Sequence, residues 1–221
     1  MRPGSRASMT WGSDLANGSE EAGAVSGAAS RLTREDWIDA AWDALSLGSL
    51  DTIKVDRLSK QLNVTRGSFY WHFKKREDLI DAVVDKWLLR LGMSNAVRHL
   101  FAADKPAAER LWDVFEYVIR AVTGPQSVFL RIASADNERI RRRMHEEDFS
   151  RIEGYKRLFV EIGLSDAGAQ EFAETYYIIV MSEFLRNGRA PMAERLEQAR
   201  RKHAFVVDMA EVKAAEGLRK A

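Results

Sequence analysis

Apolar positions along the chain recur three and four residues apart, and this spacing predicts helices from Thr33 onward. Ile38, Ala41, Trp42 and Leu45 fall at i, i+3, i+4 and i+7, behind Thr33 and Asp36, which are spaced for a capping box. Gly48 ends that helix. Val55, Leu58 and Leu62 repeat at helical spacing, Thr65 is placed as the next N-cap, and Phe69 with Phe73 give a short following helix its buried side. Leu79, Ile80, Val83, Val84, Trp87, Leu88 and Leu91 then trace a longer stripe. Pro106 suits the first turn of a helix carrying Leu111, Trp112, Phe115, Val118 and Ile119, which Gly124-Pro125 stops. A short helix near residues 127–133 follows, then a long one from about Asn137 to Ile162 closed by Gly163, then two more. No sustained period-two alternation interrupts the series, so the fold class is all-α.

Composition narrows the possible chemistry. At 221 residues and 46% hydrophobic content, the chain is long enough for one large domain or a small one fused to a medium one. It has no cysteine, which excludes disulfides and thiolate metal sites, and its four histidines show no ligand spacing. With no nucleophile–base arrangement and no glycine-rich phosphate loop either, no catalytic residue, metal or cofactor is assigned. No apolar run approaches the roughly 20 residues that span a bilayer, and the first residues lack a secretory core, so a cytoplasmic protein without a membrane partner is expected. Residues 1–30, rich in Gly, Ala and Ser, are expected to form a disordered tail in which Trp11 stands alone.

The formal net charge is only +1, so the distribution of charge matters more than its total. From residue 54 to residue 76 the basic side chains are Lys54, Arg57, Lys60, Arg66, Lys74, Lys75 and Arg76, against Asp56 alone. Residues 51–65 and 65–73 have the proportions of a helix-turn-helix, with Asn63 where the chain must reverse and Val64 placed to plug the angle between the helices. Gly67 is costly in a helix by about 1 kcal/mol against alanine, and close approach to a DNA strand supplies a reason for it. Thr65, Arg66 and Ser68 lie where an inserted helix meets phosphates and base edges, and Tyr70 and His72 can donate to phosphates. With Lys54, Trp71, Lys75 and Arg76, these residues form the candidate DNA-binding set, while Phe69 and Phe73 read as core.

The run LSKQLNVTRGSFYWHFKKREDLIDAVV resembles the DNA-binding signature of the TetR family of transcriptional regulators, since the turn, the Tyr-x-His-Phe run and Leu79 all hold their spacing. In that family the matching tyrosine and histidine, here Tyr70 and His72, contact phosphates. A lysine opening the fourth helix does so too, where this chain has Arg76, with Lys75 beside it. Asn63 stands for the usual turn glycine and Ser59 for a small alanine. The resemblance implies a helix-turn-helix DNA-binding domain over residues 31–78, a helical ligand-binding and dimerisation domain over 79–210 and a C-terminal tail over 211–221.

The resemblance further implies a homodimer on an inverted-repeat operator in double-stranded DNA, and a repressor released by a small-molecule effector. FAETYYIIVMSEFL, residues 172–185, is apolar nearly all round between Tyr176 and Met181, and Met192, Leu196, Ala199, His203 and Val206 repeat at the spacing of a helix-packing seam. Phe172, Tyr176, Val180, Phe184, Met192, Leu196, Ala199 and His203 are therefore candidate dimer residues, unless both helices belong wholly to one chain's core. Trp87, Trp112, Phe115, Phe129, Met144 and Tyr155 are candidates to line an effector cavity, although such side chains also fill ordinary cores. The alternative function is a DNA-binding activator or architectural protein that takes no ligand.

Overall fold

The computed structural model describes residues 32–122, 124–185 and 190–220, with the side chains of residues 95, 184 and 220 left out. The expected tail with Trp11, and the Phe184 side chain, lie outside the described residues. Ten α-helices follow one another: α1 (Arg34–Leu45), α2 (Val55–Gln61), α3 (Arg66–Tyr70), α4 (Arg76–Leu91), α5 (Asn95–Phe101), α6 (Ala107–Ala121), α7 (Gln126–Ser134), α8 (Glu138–Ile162), α9 (Asp166–Leu185) and α10 (Met192–Lys220). A 3-10 turn, Leu50–Thr52, joins α1 to α2. The described residues contain no strand.

The caps form where local chemistry places them. Thr33 Oγ1 accepts from the Asp36 amide at 3.3 Å and the Asp36 carboxylate accepts from the Thr33 amide at 2.7 Å, the reciprocal pair that starts α1. The Asn137 side chain accepts from the Ile140 amide at 3.1 Å to open α8, and Gly163, at φ 111°, closes it in the left-handed region.

Trp37, Leu45, Ile53, Leu58, Phe69, Leu79 and Val83 are fully buried where α1 to α4 meet. A second buried group joins α6, α8, α9 and α10, where the Tyr176 ring makes edge contacts with Phe115, Tyr155 and Phe159 at centroid distances of 5.1 to 5.8 Å. Helix α4 belongs to both, packing on α1 and on α6 and α8. Polar tethers flank it: Lys86 pairs with Glu35 and Asp39 of α1, while Asp81 and Asp85 pair with Arg139 and Arg143 of α8. The buried Trp87 indole donates to Ser127 Oγ of α7 at 3.0 Å.

Three expectations change. Helix α5 is absent from the periodic reading, because its seven residues, NAVRHLF, are too few to establish a period. Helix α10 runs to Lys220 through residues expected as a tail, and the Ala214 Cβ lies 3.4 Å from where a side chain on Gly163 would begin. The proposed dimer seam turns inward. Tyr176, Val180, Ala199 and His203 are buried against their own chain, Phe172 and Leu196 are half-buried, and Met192 is exposed. Spacing selects a seam but not the molecule that covers it, and here the exposed apolar side chains of α9 and α10 are Ile178, Leu185, Phe205, Met209 and Val212.

His203 Nδ1 lies 2.8 Å from the Tyr176 hydroxyl. Burial, helped by Arg200, pulls its pKa from 6.5 down to about 4. A histidine held neutral in the fold but protonated when unfolded stabilises fully above pH 6.5 and loses that contribution as pH falls toward about 4. The urea midpoint should drop across that window, and His203→Gln should flatten the slope. A slope identical to wild type would remove His203 as its source.

Candidate nucleic-acid interface

The helix-turn-helix is built around one unusual backbone angle. Asn63 has φ 54°, the only positive φ on a non-glycine residue among the described residues. Its short polar side chain tolerates that region, and the chain reverses there, with the Val64 amide donating to the Ser59 carbonyl at 2.9 Å. Val64 is half-buried in the angle, and Ser59 is buried.

Helix α3 is short and anchored from one side only. Phe69 is fully buried, stacked on Phe73 at 5.5 Å and meeting the Trp37 ring edge-on at 5.3 Å. This anchoring turns the neighbouring side chains outward: Tyr70 is 57% and Trp71 is 87% exposed, which are high values for side chains of that size. Thr65 occupies the N-cap position with extended backbone, but its hydroxyl makes no capping bond. Thr65, Arg66 and Gly67 are exposed, and Ser68 and His72 are half-buried. A Cβ on Gly67 would meet only Thr65 Oγ1, at an ordinary 3.6 Å, and its φ is not in the left-handed region, so nothing within the chain requires glycine there.

The basic residues divide into two groups. Lys54, Arg57, Lys60, Lys74 and Lys75 are exposed. Arg66 pairs with Asp56 of α2 at 2.8 Å, an exposed contact that water and salt weaken. Arg76, expected to face DNA, is instead half-buried: its Nε donates to the Ile53 carbonyl at 2.6 Å and its Nη2 to the Leu50 carbonyl at 2.5 Å, with Asp51 at 3.8 Å. It ties the 3-10 turn to the start of α4, a role the sequence spacing does not reveal. Lys75, beside it, remains exposed.

The candidate effector residues lie mostly in the core. Trp87, Phe115, Met144 and Tyr155 are buried, and Trp112 and Phe129 are half-buried. Trp112 packs against His203 at 5.6 Å, under the Arg200 guanidinium. None of the six lines either of two clefts on the helical region: one of about 490 Å³ between α4 and α8, and one of about 340 Å³ beside α5. Among the described residues, no group of His, Asp or Glu side chains is placed to hold a metal, and no helix is long and apolar enough to cross a membrane.

The model of the "Bacterial regulatory proteins, tetR family" matches residues 38–83, the segment that contains this turn and the exposed helix. An uncharacterised HTH-type transcriptional regulator, TtgW of Pseudomonas putida, is 30% identical over 101 residues, covering 45% of this chain and 70% of that protein. The chain belongs to the TetR family. It is also 27% identical over 135 residues to the class D tetracycline repressor of Escherichia coli, covering 61% of this chain. It matches just over half, 57%, of that relative's length. In three dimensions it is similar to a transcriptional regulator from Rhodococcus, with TM-score 0.59, 18% identity, and coverage of 84% of this chain and 97% of the other. The fatty acid degradation regulator FadR of Bacillus halodurans gives TM-score 0.57 at 16% identity, covering 79% and 94%. At such identities these two structures establish the TetR fold alone.

Removing the Arg76 guanidinium takes a charged donor from each of two turn carbonyls, of which Leu50 keeps the Ile53 amide at 3.1 Å. Arg76→Ala should lower unfolding stability by about 2 kcal/mol, as expected for hydrogen bonds to a charged group, whereas Lys75→Ala should leave it unchanged. Urea unfolding of both variants checks this, and equal stabilities would refute the tethering role.

Proposed function

We propose that this TetR-family protein is a DNA-binding transcriptional regulator, a cytoplasmic repressor that leaves an inverted-repeat operator when a small molecule binds. The observation that carries the reading is α3, a five-residue helix anchored by Phe69 that holds Tyr70 and Trp71 out to solvent among exposed lysines. Gly67 supports it, because a glycine not required inside the chain suits a helix start approached closely from outside. Lys54 and Lys75 then serve as phosphate contacts with Tyr70 and His72, while Arg66 exchanges Asp56 for a base edge. The name of the tetracycline repressor supports the sign of regulation.

One helix of this length reads too little sequence alone, and a two-fold dimer places two such helices about 34 Å apart, one DNA turn. We assign the dimer surface to the outward apolar side chains Ile178, Leu185, Phe205, Met209 and Val212 rather than to the buried seam. Effector control then means that a ligand prefers a dimer whose recognition helices no longer match the groove spacing, with α4 linking the two regions.

Footprinting on the DNA flanking the protein's own gene should protect an inverted repeat. Tyr70→Phe and Lys75→Ala should weaken binding to every sequence, and Lys75→Ala should also flatten its salt dependence by about one unit, the share of one neutralised phosphate. Arg66→Ala should instead relax sequence preference. Identical effects in all three would remove this division of roles. Phe205→Asp should yield a folded monomer by sedimentation, and an intact dimer would place the interface elsewhere.

A further inference from the structure

The smaller cleft, about 340 Å³, lies between α5, α6 and α8, and its chemistry is lopsided. Arg98, Arg110 and Arg157 line it with a single carboxylate, Glu161, while Met93, Phe101 and Leu158 supply apolar wall. The volume falls at the lower end of small-molecule sites, roughly 300 to 1,000 Å³.

The three guanidinium groups are not equivalent. Arg110 is fixed, since it ion-pairs with Glu161 and its Nη1 donates to the Phe101 carbonyl at 3.0 Å. Its Nε is buried with no hydrogen-bond partner among the described residues. Arg98 donates through Nε to the Met93 carbonyl at 2.9 Å, which leaves its terminal nitrogens uncommitted to any carboxylate among the described residues. Arg157 is exposed and makes no ion pair there either. Two cations on the rim thus form no ion pair among the described residues, beside one that holds the wall, and Arg98 also borders the larger cleft with Glu146 and Glu147.

The floor is built by a glycine. Gly154 sits in the middle of α8, where glycine costs about 1 kcal/mol against alanine, so its presence calls for a reason. A Cβ there would lie 2.9 Å from the Phe101 ring. Its absence lets the ring rest on the helix backbone and against Tyr155 at 5.4 Å, forming a flat apolar surface between the arginines.

We propose that this cleft binds an organic monocarboxylate with a short apolar tail, the carboxylate held by Arg98 and Arg157 and the tail lying over Phe101 and Leu158. Glu161 on the same wall disfavours a second negative charge, which selects a carboxylate over a phosphate dianion. A guanidinium matches a carboxylate with two parallel hydrogen bonds, and the apolar floor adds burial that acetate lacks. As the site of the effector, the assignment rests on the regulator reading above, but binding itself does not depend on it.

Calorimetric titration of the full chain, without DNA, uses octanoate, with octylamine and acetate as charge and tail controls. Octanoate should bind while neither control does, and the Arg98→Ala/Arg157→Ala variant, altered only at exposed positions, should bind octanoate at least about tenfold more weakly. Unchanged affinity in the variant, equal binding of octylamine, or no octanoate binding up to about 10 mM would each overturn the site. If octanoate fails to bind while the footprint holds, only this site falls. If octanoate binds as expected but no DNA is protected, the site stands and the regulator reading is lost.

Discussion

Helix α4 must satisfy two cores at once, and the arrangement of the other helices follows from that requirement. Its buried face runs from Leu79, Ile80, Val83 and Val84 to Trp87 and Leu91, and the helix packs on α1 as well as on α6 and α8. A helix buried along its whole length on one face cannot change its rotation for one core without unpacking the other. Its ends are fixed differently: Arg76 grips the Leu50–Ile53 turn by backbone carbonyls, and the Trp87 indole is held by Ser127. Contacts through α4 thus connect α3, which hangs from Phe69 and Phe73 near the start of that helix, to residues of α7 and α8.

A nearly neutral protein can still present a concentrated positive face, and here the concentration depends on which cations are already committed. Among the seven basic residues of the helix-turn-helix stretch, Arg66 and Arg76 have partners within the chain, and the exposed lysines provide the field that reaches outward. A proposed phosphate surface made of lysines tolerates small errors of placement, because an ammonium is a point charge with rotatable donors. The arginine that stays inside uses the planar fork that lysine lacks, bonding two carbonyls from one side chain.

Helix existence was legible wherever the period was long. The stripes of α1, α4, α6 and α8, the Thr33 cap, the Asn63 turn and the Gly163 stop all stand where the sequence places them, because each rests on spacing or on a single residue's backbone preference. The same is true of Phe69 and Phe73 as the buried side of α3 and of Tyr70 and Trp71 on its exposed side, where His72, read with them, is half-buried instead. What spacing cannot supply is the partner of a face. Tyr176 and His203 lie on apolar stripes that read equally as interface or as core, and the fold buries them together. Arg76 kept its charge in the sequence pattern, but its direction was set by carbonyls more than twenty positions earlier in the chain. The rim of the α5 cleft is not legible in the sequence for a related reason: its arginines come from three helices, one of which is too short to show a period.

The tethers of α4 differ in stiffness, and this bears on how the helix responds to load. A packed contact such as that of Trp87 loses a quarter to a half of its attraction within about 0.5 to 1 Å of separation. Coulomb attraction falls only as the inverse of distance, so the pairs of Lys86, Asp81 and Asp85 weaken more gradually and still attract at separations where a packed contact has ended. Helix α4 is therefore mounted with hard stops on its apolar face and compliant springs on its charged flanks. Such a mounting resists rolling, which would drag Trp87 from its seat, while the ion pairs go on drawing the helix back after a packed contact has opened.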